Sequence, residues 1–296
     1  VADAGGVHTP QGSWNPSTAR FEAPRVLAVH ARQHFPETVL GSGAVSYEQA
    51  GKTLSENGAL RIWTLDDATL IASIKTKMHA ISPEVCEGLM EAADLAEREY
   101  EGLVIWSGDE PFSAGADLQA MMPAFLAVGV SAIDEAEAFM QQTMLRLRYL
   151  NVPVVSAIRG LALGGGCELA VYSSRRVAHM ESYIGLVEVG VGLVPGAGGL
   201  AYIARRAAEN AAVSTDKDLL KFLTEGFTAA ATAKVGVSAH ESRKLGYLLD
   251  SDLIVAHKDE LLFVAINEAR SMFRAGYRPP MRRSFPVAGR NGKATI

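Results

Sequence analysis

Glu168 and Glu188 are the residues of this 296-residue sequence whose surroundings best suit acid–base chemistry. Glu168 follows three successive glycines, residues 164–166, and precedes an apolar stretch that predicts a helix. Glycine lets a backbone pass close to a ligand, and the first turn of a helix presents unpaired N–H groups and the positive end of its dipole. The pattern therefore predicts a carboxylate beside a backbone site for an anionic oxygen. Taken alone, the glycines fit equally a turn made for tight packing.

Glu188 is the one charged residue of the segment 184–199, whose other residues are Ile, Leu, Val, Ala, Pro and Gly. Burial among apolar groups raises the pKa of a carboxyl, so that it can hold or deliver a proton near neutral pH. The alternative is a surface glutamate at the end of a strand. A second small-residue loop, 112–118, follows the apolar run 103–106, which predicts a buried strand. Small residues after a strand can also serve only to permit a turn.

The elements that must position these loops alternate regularly from residue 60. Residues 60–64 and 70–75 read as two strands about a turn at Asp66 and Asp67, and 154–158 as a later buried strand. Ser82 and Pro83 have the chemistry of a helix start, and 131–150 has the apolar periodicity of an amphipathic helix. Alternating strands and helices predict an α/β fold with a parallel sheet, whose active loops lie at the carboxyl ends of the strands.

Three segments taken together resemble the crotonase superfamily over roughly residues 58–249. They are Ala-Gly-Ala-Asp at 114–117, Gly-Gly-Gly-Cys-Glu-Leu-Ala at 164–170 and Pro-Gly-Ala-Gly-Gly at 195–199. The resemblance implies a crotonase-like spiral of repeated ββα units with a C-terminal helical region. The chain looks like an enoyl-CoA hydratase, since both acid positions are filled. By the same resemblance the backbone N–H groups of Ala116 and Gly165 form the oxyanion hole, and Glu168 and Glu188 are the catalytic carboxylates.

The resemblance implies a hydro-lyase of fatty-acid β-oxidation that adds water to a trans-2-enoyl-CoA and gives a 3-hydroxyacyl-CoA. Glu168 would orient or deprotonate the water, and Glu188 would protonate the α-carbon. Coenzyme A, as part of the acyl-CoA substrate, would lie along the residues Ala114, Ala116, Asp117 and Leu118, with its pantetheine directed towards Gly164 and Gly165. Neither a metal nor a redox cofactor is expected. The alternatives are a Δ3–Δ2 enoyl-CoA isomerase, a non-catalytic docking half of a multienzyme complex and an RNA-binding member of the superfamily.

Composition narrows the partners of the protein. A net charge of −5 argues against a nucleic-acid-binding surface. The sequence contains no run of about 18 apolar residues, the length that a membrane-spanning helix needs. The two cysteines, Cys86 and Cys167, have no metal-ligand spacing and read as reduced thiols in a cytoplasmic protein. By resemblance, a homotrimer or hexamer is expected, with the predicted helix 261–273 as the contact surface and with regular structure ending at 278–280.

The chain is predicted to divide into three parts: a linker or remnant of an upstream domain (1–57), the hydratase core (58–235), and a C-terminal helical trimerisation region with a tail (236–296). Short helices are expected at 25–35 and 47–55. The first part resembles the junction in proteins that fuse a 3-hydroxyacyl-CoA dehydrogenase to a hydratase, and the start without Met predicts the C-terminal part of such a fusion. Two departures from the family stand out: residues 75–81 lack its asparagine, and a helix-prone insertion follows Gly199 through residue 224.

Overall fold

A seven-stranded sheet forms the centre of the molecule, and its strands lie side by side in an unbroken chain order. The computed structural model describes residues 6–9, 12–23, 27–35 and 47–295. The strands of the sheet are β4 (Lys52–Glu56), β5 (Leu60–Thr64), β6 (Thr69–Ile74), β7 (Gly102–Ile105), β8 (Val154–Leu163), β9 (Arg175–Gly185) and β10 (Leu253–Val255). A separate antiparallel sheet consists of β1 (His8–Thr9), β2 (Gly12–Asn15) and β3 (Arg20–Glu22).

Helices connect the parallel strands, and a further helix after the last strand covers the other face of the sheet. Their bounds are α1 (Pro83–Glu99), α2 (Leu118–Val128), α3 (Val130–Arg148), α4 (Gly165–Tyr172), α5 (Gly199–Val213), α6 (Leu219–Ala231), α7 (Ala239–Lys244), α8 (Leu261–Arg274) and α9 (Gly289–Thr295). β4, β5 and β6 pair antiparallel, whereas each pair from β6 to β10 is parallel. Parallel neighbours need a crossover, which the intervening helices supply. The α/β prediction and the two strands about Asp66 and Asp67 are confirmed.

Burial on both faces explains why the central strands read as continuous apolar runs. Every residue of β5, β6 and β7 is buried. One face packs against α1, α3 and α4 in a cluster that includes Leu89 and Leu147. The other face packs against α8, with Trp63 and Trp106 at its centre. The sheet is thus a rigid support whose strand ends are fixed from both sides.

Local sequence chemistry sets the start of α1 as predicted. The Ser82 hydroxyl accepts a hydrogen bond from the backbone N–H of Val85 at 3.3 Å, and Pro83 occupies the first turn, where its missing N–H costs nothing. The amphipathic helix predicted at 131–150 is α3. Its buried residues Met140, Met144 and Leu147 lie on the predicted apolar face.

The helix predicted at residues 47–55 is wrong. A single 3₁₀ turn, Tyr47–Gln49, leads into β4, which pairs antiparallel with β5. Arg61 of β5 decides this, because its guanidinium donates to the carbonyl oxygens of Tyr47 and Ala50, both at 2.8 Å, and to the Thr53 hydroxyl at 2.9 Å. These partners lie eight to fourteen residues away in sequence, so helix propensity does not report them.

The helix expected at 25–35 lies partly outside the described residues, which show only a 3₁₀ turn, Ala28–Arg32. Because β4 belongs to the central sheet, that sheet begins within the part predicted as a linker. The division of the chain at residues 58 and 236 stays a prediction. Within the described ranges, no helix is both long enough and apolar enough to cross a membrane.

The C-terminal part contains one helix more than predicted. α8 coincides with the expected helix 261–273. Regular structure was expected to end at residues 278–280, which is wrong, because α9 follows and packs against α6. The contact of α9 with α6 therefore stabilises a tail that looks unstructured in the sequence.

The helix-prone insertion after Gly199 forms α5 and the start of α6, which pack against each other.

Candidate active site

Three loops at the carboxyl ends of the adjacent strands β7, β8 and β9 meet at one edge of the sheet. The loop after β7 is joined to β8 through Ser113, whose N–H donates to the Leu161 carbonyl at 3.1 Å and whose carbonyl accepts from the Leu163 N–H at 3.0 Å. The loop after β8 runs through Gly164 into α4. The Gly164 N–H donates to the carbonyl of Gly185, the last residue of β9, at 2.9 Å. The prediction that both glycine loops lie at such strand ends is confirmed.

The backbone amides of Ala116 and Gly165 lie next to each other at this edge. A Cβ atom added to Gly165 would lie 3.2 Å from the Ala116 nitrogen. Among the described residues, neither amide donates a hydrogen bond to another backbone or side-chain group. The preceding residues Gly115 and Gly164 have φ values of +104° and +52°, which favour glycine. These turns leave two N–H groups available for one anionic oxygen.

Both amides open into a cavity of about 340 Å³. Its walls include seven of the predicted site residues: Ala114, Ala116, Leu118, Gly164, Gly165, Glu168 and Glu188. Asp117 does not line the cavity. Its carboxylate instead caps α2 by accepting a hydrogen bond from the Ala120 N–H at 3.0 Å. The remaining wall is mostly apolar and comes from α2, α3 and the loop after β9, including Met121, Ile133, Met140, Leu193 and Val194.

Glu168 lies in the first turn of α4 and is only 2% exposed. Its Oε1 accepts a hydrogen bond from the Gly199 N–H at 2.7 Å. Burial, the largest cause, together with the charges of Glu188 and Glu137 raises the pKa of the Glu168 carboxyl to about 8, although the Gly199 hydrogen bond opposes the shift. A pKa of about 8 favours the protonated form of the Glu168 carboxyl near neutral pH.

Glu188 begins a 3₁₀ turn directly after β9 and is partly buried. Both of its carboxylate oxygens are buried and neither has a hydrogen-bond partner of good geometry among the described residues. Burial raises its pKa and so does the charge of Glu137, while the backbone N–H groups of Glu188 and Val187 offset this in part. A buried acceptor without a partner costs free energy unless water or a ligand reaches it. Glu188 is therefore placed to bind a group that enters the cavity.

Two contributors to the site were missed by the sequence interpretation. One is the Gly199 N–H, which orients Glu168 across 31 residues of sequence. The other is Glu137 on α3, a further carboxyl that lines the same cavity, as does the exposed Asp134 of the same helix. Its signal was present in the sequence, because residues 133, 137, 140, 144 and 147 share one helix face and only residue 137 among them is charged. Periodicity assigns that residue to the face but not to a cavity.

Other reactive side chains in the described part of the chain lie outside this chemistry. Burial raises the pKa of the Cys86 thiol to about 11 and that of Cys167 well above its ordinary value, so both are held as unreactive thiols. Over the residues that are described, no group of three or more His, Cys, Asp or Glu side chains is arranged to hold a metal ion.

The raised pKa of Glu168 predicts a pH-dependent loss of stability. The folded protein binds this proton more tightly than the unfolded chain, so its stabilising effect is complete below the ordinary carboxyl pKa of 4.5 and is lost as pH rises to about 8. In urea unfolding between pH 4.5 and 9, we expect the wild type to lose on the order of a few kcal/mol relative to Glu168→Gln. The exposed carboxylate variant Glu181→Gln serves as the control. Parallel pH curves for wild type and Glu168→Gln would contradict the assignment.

Comparison with known proteins identifies the family of the chain. Residues 70–240, more than half of the chain, match the family model described as enoyl-CoA hydratase/isomerase. A Bacillus subtilis protein named "Probable 3-hydroxyacyl-CoA dehydrogenase" is 34% identical over 84% of this chain, and the match spans 31% of that protein. A "Putative fatty acid oxidation complex trifunctional enzyme" of Rickettsia felis is 40% identical over 51% of this chain and 21% of its own length. The chain thus spans about a third or less of these relatives.

Solved structures share the fold. The enoyl-CoA hydratase of Bacillus anthracis superposes with a TM-score of 0.58 at 23% identity, over 72% of this chain and 76% of that chain. A Geobacillus kaustophilus structure described as an enoyl-CoA hydratase gives a TM-score of 0.60 at 18% identity, over 74% of this chain and 76% of its own. The crotonase fold expected from the sequence is confirmed. From the extent of the family match and the shared fold, the chain belongs to the enoyl-CoA hydratase/isomerase family of the crotonase superfamily.

Proposed function

We propose that the protein is an enoyl-CoA hydratase, which adds water to the double bond of a trans-2-enoyl-CoA thioester. The observation that carries the proposal is the cavity that Glu168 and Glu188 share with two backbone amides, whose N–H groups donate no hydrogen bond within the described part of the chain. Hydration needs a site for the thioester oxygen, a group that activates water and a group that protonates the α-carbon. The amides of Ala116 and Gly165 suit the first need, and Glu168 and Glu188 the other two.

The two amides would stabilise negative charge on the thioester oxygen. As water adds to the β-carbon, electrons move towards this oxygen and the intermediate becomes enolate-like. Preorganised N–H donors in a site that excludes water stabilise such charge more strongly than bulk water does. The apolar wall formed by Leu118, Met140 and Leu193 supports this role, because it lowers the local dielectric. The amides would therefore lower the barrier to attack.

The carboxyl pair would hold one proton between its two members. In the scheme that the family implies, Glu168 accepts a proton from the water and Glu188 delivers one to the α-carbon. The raised pKa of Glu168, about 8, favours the protonated form of that carboxyl near neutral pH. In this scheme Glu188 would receive that proton, through the attacking water or directly, before hydration proceeds. Two like charges in one low-dielectric cavity repel, which favours this singly protonated state near neutral pH.

The thioester would enter past the loop after β7, with coenzyme A along Ala114, Ala116 and Leu118 and the pantetheine directed towards Gly164 and Gly165. Asp117 would act there through its backbone and as the cap of α2, since its side chain is engaged. No metal or redox cofactor enters this scheme, because hydration transfers only water and a proton. The only coenzyme is the one that the substrate carries.

We propose that the chain works beside a 3-hydroxyacyl-CoA dehydrogenase, as one part of a longer or associated protein. The names of its relatives, a 3-hydroxyacyl-CoA dehydrogenase and trifunctional fatty acid oxidation enzymes, support this. The chemistry agrees, because the product of hydration is the substrate of such a dehydrogenase. Trimers that use α8, as the family resemblance implies, are proposed as the assembly.

The test is the loss of the ultraviolet absorbance of the conjugated enoyl thioester when the protein is mixed with crotonyl-CoA and with a longer trans-2-enoyl-CoA. We expect the absorbance to fall and a 3-hydroxyacyl-CoA to appear by mass spectrometry, with a mass increase of one water. A folded protein that binds the thioesters without converting either would contradict the hydratase proposal.

One observation favours a second candidate, a Δ3–Δ2 enoyl-CoA isomerase. Within the pair, Glu188 has no hydrogen-bond partner among the described residues, whereas Glu168 accepts from the Gly199 N–H, so only one of these two carboxyls is left as a free base. An isomerase needs the same oxyanion site but only one such base. With a trans-3-enoyl-CoA it would increase the conjugated absorbance, and Glu168→Gln would spare that activity. Hydration of crotonyl-CoA that requires both glutamates excludes it as the main function.

A further inference from the structure

Glu137 is a half-buried carboxyl on the cavity wall formed by α3, which also carries the exposed Asp134. Its side chain reaches the loop before α5 so closely that a Cβ atom added to Gly196 would lie 1.9 Å from Oε1. The same loop is tied to α3 by Gln141, whose Nε2 donates to the Gly196 carbonyl at 2.7 Å. Because Gly196 has no side chain, the carboxyl can lie against the backbone there. The Glu137 carboxyl therefore lies between α3 and a loop that a hydrogen bond ties to the same helix.

Glu137 has no hydrogen-bond or ion-pair partner among the described residues. It is half-buried, and burial alone raises its pKa, with no cation nearby to oppose the shift. Its neighbours on the cavity wall include Ile133, Val194 and Leu193, none of which can donate a side-chain hydrogen bond. A carboxyl in such surroundings gains most from a ligand that brings a donor to it.

The helix geometry places Glu137 one turn from Met140, still close enough for its charge to raise the pKa of Glu168 and of Glu188. Met140 lies at the proposed site of the thioester oxygen, since its Cε is 3.2 Å from the position of a Cβ added to Gly165. Glu137 is one helical turn before Met140, and Ile133 is a further turn away, so these residues form a line along α3. The three residues from Glu137 to Met140 advance about 4.5 Å along the helix axis. A thioester held at the two amides would thus extend its acyl chain along this line.

We propose that Glu137 is a specificity-determining residue, and that the cavity prefers acyl chains that carry a hydrogen-bond donor, such as a hydroxyl group, beyond the double bond. This inference rests on the proposed function, because it assumes that a CoA thioester occupies the cavity. A plain alkyl chain would cover the Glu137 carboxyl with methylene groups and exclude water from it. A hydroxyl at that position would donate to the carboxyl and remove this penalty. The expected preference is about 5- to 100-fold in affinity, the range that an unsatisfied buried polar group costs.

The test measures binding of saturated thioesters by isothermal titration calorimetry at pH 7. The probes are hexanoyl-CoA and its 4-, 5- and 6-hydroxy derivatives, which lack the double bond and cannot be hydrated. We expect wild type to bind at least one hydroxy derivative about 5- to 100-fold more tightly than hexanoyl-CoA. Glu137→Leu should bind hexanoyl-CoA at least as well as the hydroxy compounds, whereas Glu137→Gln, which keeps an acceptor, should retain the wild-type order. Glu135→Leu, at an exposed position of the same helix, is the matched control.

Equal affinity of the wild type for plain and hydroxylated chains would overturn the inference, as would a preference that persists in Glu137→Leu. The result that contradicts the hydratase proposal is a different one. If the wild type shows the preference but does not hydrate crotonyl-CoA, the inference about Glu137 is supported and the hydratase proposal is contradicted. If the wild type hydrates crotonyl-CoA without any preference for hydroxylated chains, the hydratase proposal is supported and the inference is overturned. A folded protein that binds none of the thioesters contradicts both.

Discussion

Replacing either glutamate of the pair by glutamine is expected to lower kcat for hydration by about 10²- to 10⁴-fold, the usual contribution of a positioned general acid or base. Glutamine keeps the size and a hydrogen-bond acceptor but can neither give nor take the proton. Glu168→Gln should also preserve the hydrogen bond from the Gly199 N–H, because its amide oxygen can accept at the position of Oε1. The loss would therefore report proton transfer and not a displaced loop. Initial rates with crotonyl-CoA give the measurement.

The control for this result is Glu181→Gln, an exposed glutamate on β9 that should keep full activity. If the two carboxyls act as one unit, kcat of the double variant should be little lower than kcat of the less active single variant. A Glu188→Gln protein with wild-type kcat would remove Glu188 from the reaction. In the wild type, kcat/KM should decline above about pH 8 as the proton that the pair shares is lost.

Gly165→Ala is expected to reduce kcat by about 10²- to 10³-fold, as removal of one oxyanion donor does in other enzymes. The new methyl group would lie 3.2 Å from the Ala116 nitrogen, in the space between the two amides. The thioester oxygen could then no longer reach both donors. The fold should survive, since Gly165 needs no positive φ and the flexible end of Met140 is the nearest side chain, at 3.2 Å. Steady-state kinetics and a thermal melt together provide the measurement.

The matched control is Gly58→Ala, because nothing lies within 4 Å of a Cβ added at that exposed position. Both variants should melt within a few degrees of the wild type, which corresponds to about 1 kcal/mol for a chain of this size. Near-normal kcat for a folded Gly165→Ala protein would show that the oxyanion does not bind between these amides. Loss of folding in Gly165→Ala alone would show that Met140 cannot move aside.

The sequence was most informative where structure depends on nearest neighbours. Ser82 and Pro83 predicted the start of α1, and the helix cap is formed as expected. The family segments located the loops that meet at the sheet edge, and seven of the eight predicted site residues line one cavity. Their catalytic roles stay proposals until the variants are measured. Asp117 is the exception, because its carboxylate caps the N-terminus of α2. An Asp before a helix is a common N-cap, so the same residues are also compatible with that role.

Prediction failed where a residue's surroundings come from distant parts of the chain. Residues 47–55 form a turn and a strand because Arg61 binds their backbone. α9 forms against α6, a helix about sixty residues earlier in the chain. Glu137 was passed over because an acid on an apolar helix face looks like an irregularity until the cavity beside it is known. Periodicity reports which residues share a face and cannot report what that face meets.

The sequence by itself determined the family, the order of strands and helices in the core, and the two backbone turns at Gly115 and Gly164. These follow from local rules, since positive φ values and short caps depend on the residue and its immediate neighbours. Only the tertiary structure decided how close the two amides lie, that the Gly199 N–H donates to Glu168, that burial raises the pKa of Glu168, and that Glu188 lacks a hydrogen-bond partner among the described residues. The reason is physical: burial and Coulomb interactions depend on distances through space, between groups that the sequence separates by tens of residues.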